Sequence, residues 1–261
     1  MTVPDSAPNP ANYTALFYEL EGKHASTAAP RLVPAFIDLV HPTSVLDVGC
    51  GTGVFLREFL RRGISDVVGI EGRWAETVPL EVPRETVRFL DLNAGFDLGR
   101  TFDLVLCLEV AEHIEPENAD RLVDALARHG PVIALSAAVP SQGGEHHVNE
   151  QWPDYWARKL RRRGFDAFDP LRTALLPDPT TPVYYAQNLV LYARPGTPGH
   201  GALRRIGPPL RGRVPFRLRV LSHPVAGRLV AALPSRLREQ VYLQYRTRVK
   251  RHMPGRLRRM R

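Results

Sequence analysis

Cysteine is scarce: Cys50 and Cys107 are the only two in 261 residues. Such a pair builds neither a disulfide framework nor a closely spaced zinc site, so a reducing cytoplasm is the expected setting. No apolar run approaches the roughly 20 residues a membrane-spanning helix needs. The opening MTVPDSAPNP has neither a basic region nor an apolar core, which argues against a secretory signal. Acids are nearly missing from residues 200–261, where Glu239 stands alone against 17 lysines and arginines. That segment carries +16, residues 1–199 carry −8, and the chain as a whole carries +8. An acidic body with a basic extension follows.

What the chain does contain is organised around Val45–Phe55, VLDVGCGTGVF. The apolar run Val45-Leu46-Asp47-Val48 turns through Gly49, Gly51 and Gly53. A helical pattern then begins at Val54-Phe55-Leu56, with Phe59 and Leu60 a turn later. Strand, glycine loop and helix in this order open a nucleotide-binding α/β unit. The glycines let backbone approach a ligand, and the helix start is expected to aim free amides at it.

The rest of the pattern alternates. Strands are expected at residues 44–48, 66–70, 86–90, 102–108 and 132–138, and a closing antiparallel pair at 165–171 and 188–193. Helices are expected after the first strand up to Arg61-Arg62-Gly63, over 117–129 and over 153–163. Strands alternating with helices imply a doubly wound, mostly parallel seven-stranded sheet. Ahead of it, two helices over residues 12–20 and 29–40 are separated by a break at Gly22-Lys23-His24. Residues 1–11, rich in proline and alanine, are expected to be disordered. The catalytic domain is assigned to 12–194, a linker to 195–199, and a partly helical basic extension to 200–261.

Ligands of open α/β sheets bind beyond the carboxyl ends of the strands. Three acids fall at such ends: Asp47, Glu71 and Asp91. After the fourth strand comes Leu108-Glu109-Val110-Ala111-Glu112-His113, and after the fifth GGEHHVNEQWPDYW, with His147 and the aromatics Trp152, Tyr155 and Trp156. The aromatics read equally well as a stacking wall or as core. Histidine titrates near neutrality and suits a general base.

The run VLDVGCGTG resembles the first motif of class I S-adenosylmethionine methyltransferases. The resemblance implies that Asp47, Gly49, Cys50, Gly51 and Gly53 hold the methionine part of that cofactor. It implies Glu71 on the ribose hydroxyls, Asp91 and Leu92 at the adenine, and Leu108 at the cleft wall. AEH after strand four and GGxxHVNEQWPxYW after strand five are similar to a bacterial family often associated with glycan synthesis. That implies O-methylation of a sugar, glycan or glycolipid hydroxyl, with His113 or His147 as base and Glu112 beside them. E-x-x-E-H also resembles ubiquinone-type O-methyltransferases, which keeps a quinone or secondary-metabolite acceptor open. With a later histidine it resembles the metal site of small-RNA 2′-O-methyltransferases, where Glu109, Glu112, His113 and His147 would be the ligands of a divalent ion. Metal-free transfer is the favoured reading, and a SAM-binding protein without catalysis is a further alternative. The basic extension is read as a helix for an anionic membrane surface at the inner leaflet, as a tail packed on the acidic body, or, less favoured, as a nucleic-acid contact.

Overall fold

The computed structural model describes residues 15–175, 181–214 and 237. The expected disordered N-terminus and most of the basic extension, with its helix after Ser235, lie outside the described residues. In chain order the elements are α1 (Ala15–Val40), β1 (Ser44–Val48), α2 (Val54–Arg61), β2 (Asp66–Glu71), β3 (Val87–Phe89), β4 (Leu104–Leu108), α3 (Ala119–His129) and β5 (Val132–Ser136). Then follow α4 (Pro153–Arg161), β6 (Asp166–Phe168), α5 (Arg172–Leu175), α6 (Val183–Asn188), β7 (Val190–Ala193) and α7 (Pro198–Ile206).

The seven strands lie in the order β3-β2-β1-β4-β5-β7-β6. β1, β2, β3, β4 and β5 pair in parallel, and β7 runs antiparallel to both β5 and β6. This is the doubly wound, mostly parallel sheet that the alternating pattern implies. All five residues of β4 and of β5 are buried, as expected of parallel strands covered on both faces. One face packs on Leu32, Val33 and Phe36 of α1 and Leu56 and Phe59 of α2. The other packs on Leu122, Val123 and Leu126 of α3 and Trp156 and Leu160 of α4.

Three boundaries differ from expectation. The N-terminal helices are one helix, α1, running through Gly22-Lys23-His24 and over Pro30 and Pro34. Packing overrides local propensity here: Leu32, Val33 and Phe36 are fully buried, and Gly22 lies where a Cβ would come within 3.7 Å of Thr52 Oγ1. The closing strands are shorter than expected and joined through α5 and α6 rather than by a tight turn. The assigned linker 195–199 gives way at Pro198 to α7, which packs on α1 and β7 with Leu203 buried. The packed body therefore extends to Val214, which is 1% exposed and donates its backbone N–H to Asp154.

The strand order reverses between β1 and β4, so the loops that leave these two strands diverge there. The crevice opens at that switch point, and this is where α/β sheets hold ligands.

Candidate functional site

A cavity of about 240 Å³ occupies the switch point, small-molecule in scale. The cavity is walled by the first turns of α1, the loops after β1, β2 and β3, the segment after β4, and the segment after β5 with the start of α6. Asp47, Gly49, Cys50, Gly51, Glu71, Asp91, Leu92, Leu108, Glu109, Glu112, His113 and His147 all line it. Among the residues assigned to the cofactor or to catalysis, Gly53 alone is absent from the lining. It is the N-cap of α2 at φ 90°, its N–H closes a turn on Cys50 O at 2.9 Å, and Val82 covers its Cα. Its glycine serves the turn and the packing.

The glycine loop curls back on β2. Gly49 and Cys50 donate to Ile70 O at 2.8 and 3.0 Å, and Gly51 donates to Glu71 Oε2 at 2.6 Å. The loop's own amides at Gly49, Cys50 and Gly51 are thus taken within the protein. What the loop offers instead is room: a Cβ on Gly51 would meet nothing within 4 Å, whereas one on Gly49 would overlap Val110. Both sit at positive φ, 56° and 75°, where a side chain is strained.

Asp47 is 2% exposed, and its Oδ2 has no hydrogen-bond partner. Burial, with Glu71 nearby, pushes its carboxyl up to about 7. Glu71 is raised by burial too, against donation from Gly72 at 2.8 Å, from Gly51, and from Tyr18 Oη at 3.4 Å. Asp91 is exposed, and its Oδ1 caps the following turn by accepting from Asn93 N at 2.9 Å. Thr52 Oγ1, on the same wall, is buried without a partner.

The other end is assembled from distant segments. Glu109 holds a left-handed φ of 56° at the exit of β4, anchored by its N–H to Ser136 O at 2.9 Å. Its carboxylate accepts from Gln142 Nε2 at 3.1 Å and Asn188 Nδ2 at 3.3 Å. Asn188 also donates to Gln142 Oε1 at 3.0 Å. Burial pushes Glu109 up to about 7 against those donors, and pushes Glu112 well above the usual carboxylate range, with Glu109 adding to it. Glu112 is 1% exposed, and its Oε2 has no partner. Its carbonyl accepts from Val148 N and Asn149 N, both at 2.9 Å, which ties the loop after β5 to the turn after β4.

His113 and His147 meet edge to face, with ring centroids 5.0 Å apart. Burial first, then His147, pulls His113 down to about 4, so its ring is neutral at neutral pH. His147 Nδ1 lies 3.0 Å from Glu150 Oε1. Glu150 is itself fixed by Gly143 N and Ser141 N, each at 2.7 Å. Donating Nδ1–H to Glu150 leaves Nε2 of His147 as an acceptor. The ligand atoms of Glu112, His113 and His147 fall within 4.8 Å of one another, and Glu109 stands apart from that trio.

Gln142, Glu150, Tyr184 and Asn188 escape sequence reasoning. Only Glu150 carries a local signal, three residues beyond His147 in HVNE. Tyr184 lines the cavity with a buried Oη that has no partner. Trp156 is core at 1% exposure, and neither it, Trp152 nor Tyr155 reaches the cavity, so the aromatic cluster is not a stacking wall.

The fold and this crevice are those of the class I S-adenosylmethionine-dependent methyltransferases. A methyltransferase domain model matches residues 21–170, more than half of the chain, and the chain belongs to that family. It is 31% identical over 108 residues to the ubiquinone biosynthesis O-methyltransferase of Pseudomonas paraeruginosa, covering 36% of this chain and 43% of that protein. It is 34% identical over 90 residues to the dTDP-4-amino-2,3,4,6-tetradeoxy-D-glucose N,N-dimethyltransferase of Saccharopolyspora spinosa, covering 33% and 35%. The matches span less than half the length of these curated relatives. Among solved structures it shares its fold with the sugar N-methyltransferase KedS8 from Streptoalloteichus sp ATCC 53650, with a TM-score of 0.51 and 20% identity over 74% of this chain and 96% of that one.

Proposed function

We propose that the chain carries a methyl group from S-adenosylmethionine to a hydroxyl of a sugar, glycan or glycolipid acceptor, with His147 as base. The observation that carries this is the His147–Glu150 pair at 3.0 Å, in one cavity with the glycine loop. The cofactor supplies an electrophilic methyl on a positively charged sulfur. The residues at the glycine-loop end suit it. The orphaned Oδ2 of Asp47 and the space over Gly51 would take the methionine part. Glu71 keeps lone pairs for ribose hydroxyls, and Asp91 and Leu92 stand where the base would lie. Leu108 closes the wall between the two ends.

At the other end Glu150 fixes the tautomer and plane of His147, and Nε2 would take the acceptor's hydroxyl proton as that oxygen displaced sulfur from the methyl carbon, the pair of the broken carbon–sulfur bond leaving on sulfur as a neutral thioether. His113, neutral in its buried place, packs against the base and fills the remaining wall. Glu112 anchors the loop that carries His147 through its carbonyl. Aligning acceptor and methyl in one closed crevice supplies much of the rate, and the base contributes on the order of 10²- to 10⁴-fold. The proposal extends to the basic segment 200–261, read as a tether to anionic membrane where a lipid-linked acceptor would lie.

A second reading rests on Glu112, His113 and His147, whose oxygen and imidazole donors suit a divalent ion. Glu109, the fourth ligand that reading expects, is instead engaged by Gln142 and Asn188. Transfer of radiolabelled methyl into fractionated extract of the source cells, with and without EDTA, separates the two. Label in a glycan fraction that withstands EDTA and ribonuclease, and that disappears with His147→Ala, supports the main reading. Ribonuclease-sensitive label lost with EDTA supports the metal site and a nucleic-acid acceptor. Label in a quinone fraction moves the acceptor to an aromatic hydroxyl.

A further inference from the structure

The cavity lining is unbalanced. Among the described residues it includes seven carboxylates and neither a lysine nor an arginine. Asp47, Glu71 and Asp91 belong to the glycine-loop end. That leaves Glu21, Glu109, Glu112 and Glu145 with the two histidines. Glu109 is held by neutral donors, the Ser136 hydroxyl, Gln142 Nε2 and Asn188 Nδ2, with no ion-pair partner among the described residues. Glu112 is 1% exposed, lines the cavity, and has an oxygen with no partner.

Buried acids are normally paired with a cation or satisfied by donors. Here the described residues supply too few donors and no cation, so the missing partner arrives with the ligand. The cofactor's sulfonium, next to the transferred methyl, carries no N–H and cannot satisfy Glu112 Oε2 by a hydrogen bond. Building on the methyl-transfer reading, we propose that the acceptor brings a protonated amino group, which seats between Glu109 and Glu112 with Glu21 at the rim. The acceptor is an amino sugar or comparable amino alcohol, its reacting hydroxyl beside His147. An ammonium offers three N–H donors, which match Glu112 Oε2 and the remaining lone pairs of Glu109. A phosphate or carboxylate in that place would face Glu109 and Glu112 with no lysine or arginine in the lining, so the portion of the acceptor inside the cavity carries no negative charge.

The test uses the full chain saturated with S-adenosylhomocysteine, in EDTA at fixed ionic strength. Calorimetric titration follows with D-glucosamine, D-glucose and D-glucose 6-phosphate as probes. D-Glucosamine should bind at least about tenfold more tightly than D-glucose, and D-glucose 6-phosphate should not bind, given the strength of hydrogen bonds to charged groups. Glu109→Gln should reduce the amine preference to about twofold while S-adenosylhomocysteine affinity is unchanged. Undetectable glucosamine binding, equal binding of the phosphate, or an amine preference that survives Glu109→Gln overturns the inference. So does Mn²⁺ that, in a parallel titration without EDTA, binds here and shuts glucosamine out. Failure of S-adenosylhomocysteine to bind at all would instead strike the cofactor reading.

Discussion

The two ends of the cavity are built by opposite strategies. The glycine-loop end comes from one continuous run, Val45 to Phe55, pinned to β2 by bonds from Gly49, Cys50 and Gly51. The histidine end is gathered from Glu109–His113, Gln142–Glu150, Tyr184–Asn188 and the start of α1, and it stands on side-chain hydrogen bonds. The first geometry is enforced by backbone and tolerates little change. The second is tuned residue by residue, and it is where a shared fold acquires a particular acceptor.

Gly49→Val should show the largest effect. It strains a φ of 75° and drives a side chain into Val110, so cofactor binding should be lost and the melting temperature should fall. Calorimetry with thermal unfolding checks both. Gly51→Ala meets open space and should cost only about 1 kcal/mol of backbone strain. Equal damage from the two would dissolve the distinction between a packed and an open side of the loop. At the other end, His147→Ala should lower kcat by roughly 10²- to 10⁴-fold while leaving S-adenosylhomocysteine affinity unchanged. Glu150→Gln should fall in between, because the amide holds the plane of His147 less firmly than the carboxylate does.

Asp47 gives a smaller, pH-dependent effect. Burial holds its carboxyl up near 7, so without ligand the proton is retained below that pH and the cost of ionisation is fully present above it. A cationic cofactor favours the ionised form. Affinity should therefore rise with pH, by up to about tenfold per unit below 7, and level off above it. Asp47→Asn should flatten this dependence, measured by calorimetry between pH 6 and 8. The smallest change is expected from Asn188→Ala, a few-fold rise in acceptor KM with kcat nearly unchanged, because Gln142 still holds Glu109.

The same contrast sets how much could be read from the chain alone. The sheet and the positions of Asp47, Glu71 and Leu108 follow from local periodicity and one contiguous run. Gly53 was grouped with its neighbours because spacing does not reveal that Val82 covers it. The bonds of Gly49 and Cys50 to Ile70 are hidden for a similar reason, since that partner belongs to another strand. Asn188 and Tyr184 lie more than 70 residues from Glu109, and only the antiparallel return through β7 brings them near. Trp156 is aromatic and adjacent to the motif, yet it turns into the core.

Helix α1 has a further consequence. Its later turns are anchored through Leu32, Val33 and Phe36, while Tyr18, Glu21 and Ala25 roof the cavity. Pro30 lies inside the helix between these regions and Pro34 within the anchored turns, and each removes a rung of its backbone hydrogen bonding. The roof can therefore fray without dislodging the anchor. Hydrogen exchange should be fast over residues 17–25, slow over 35–40, and slowed in the roof when S-adenosylhomocysteine is bound. Turnover should then be paced by opening of the roof, and kcat should respond to solvent viscosity.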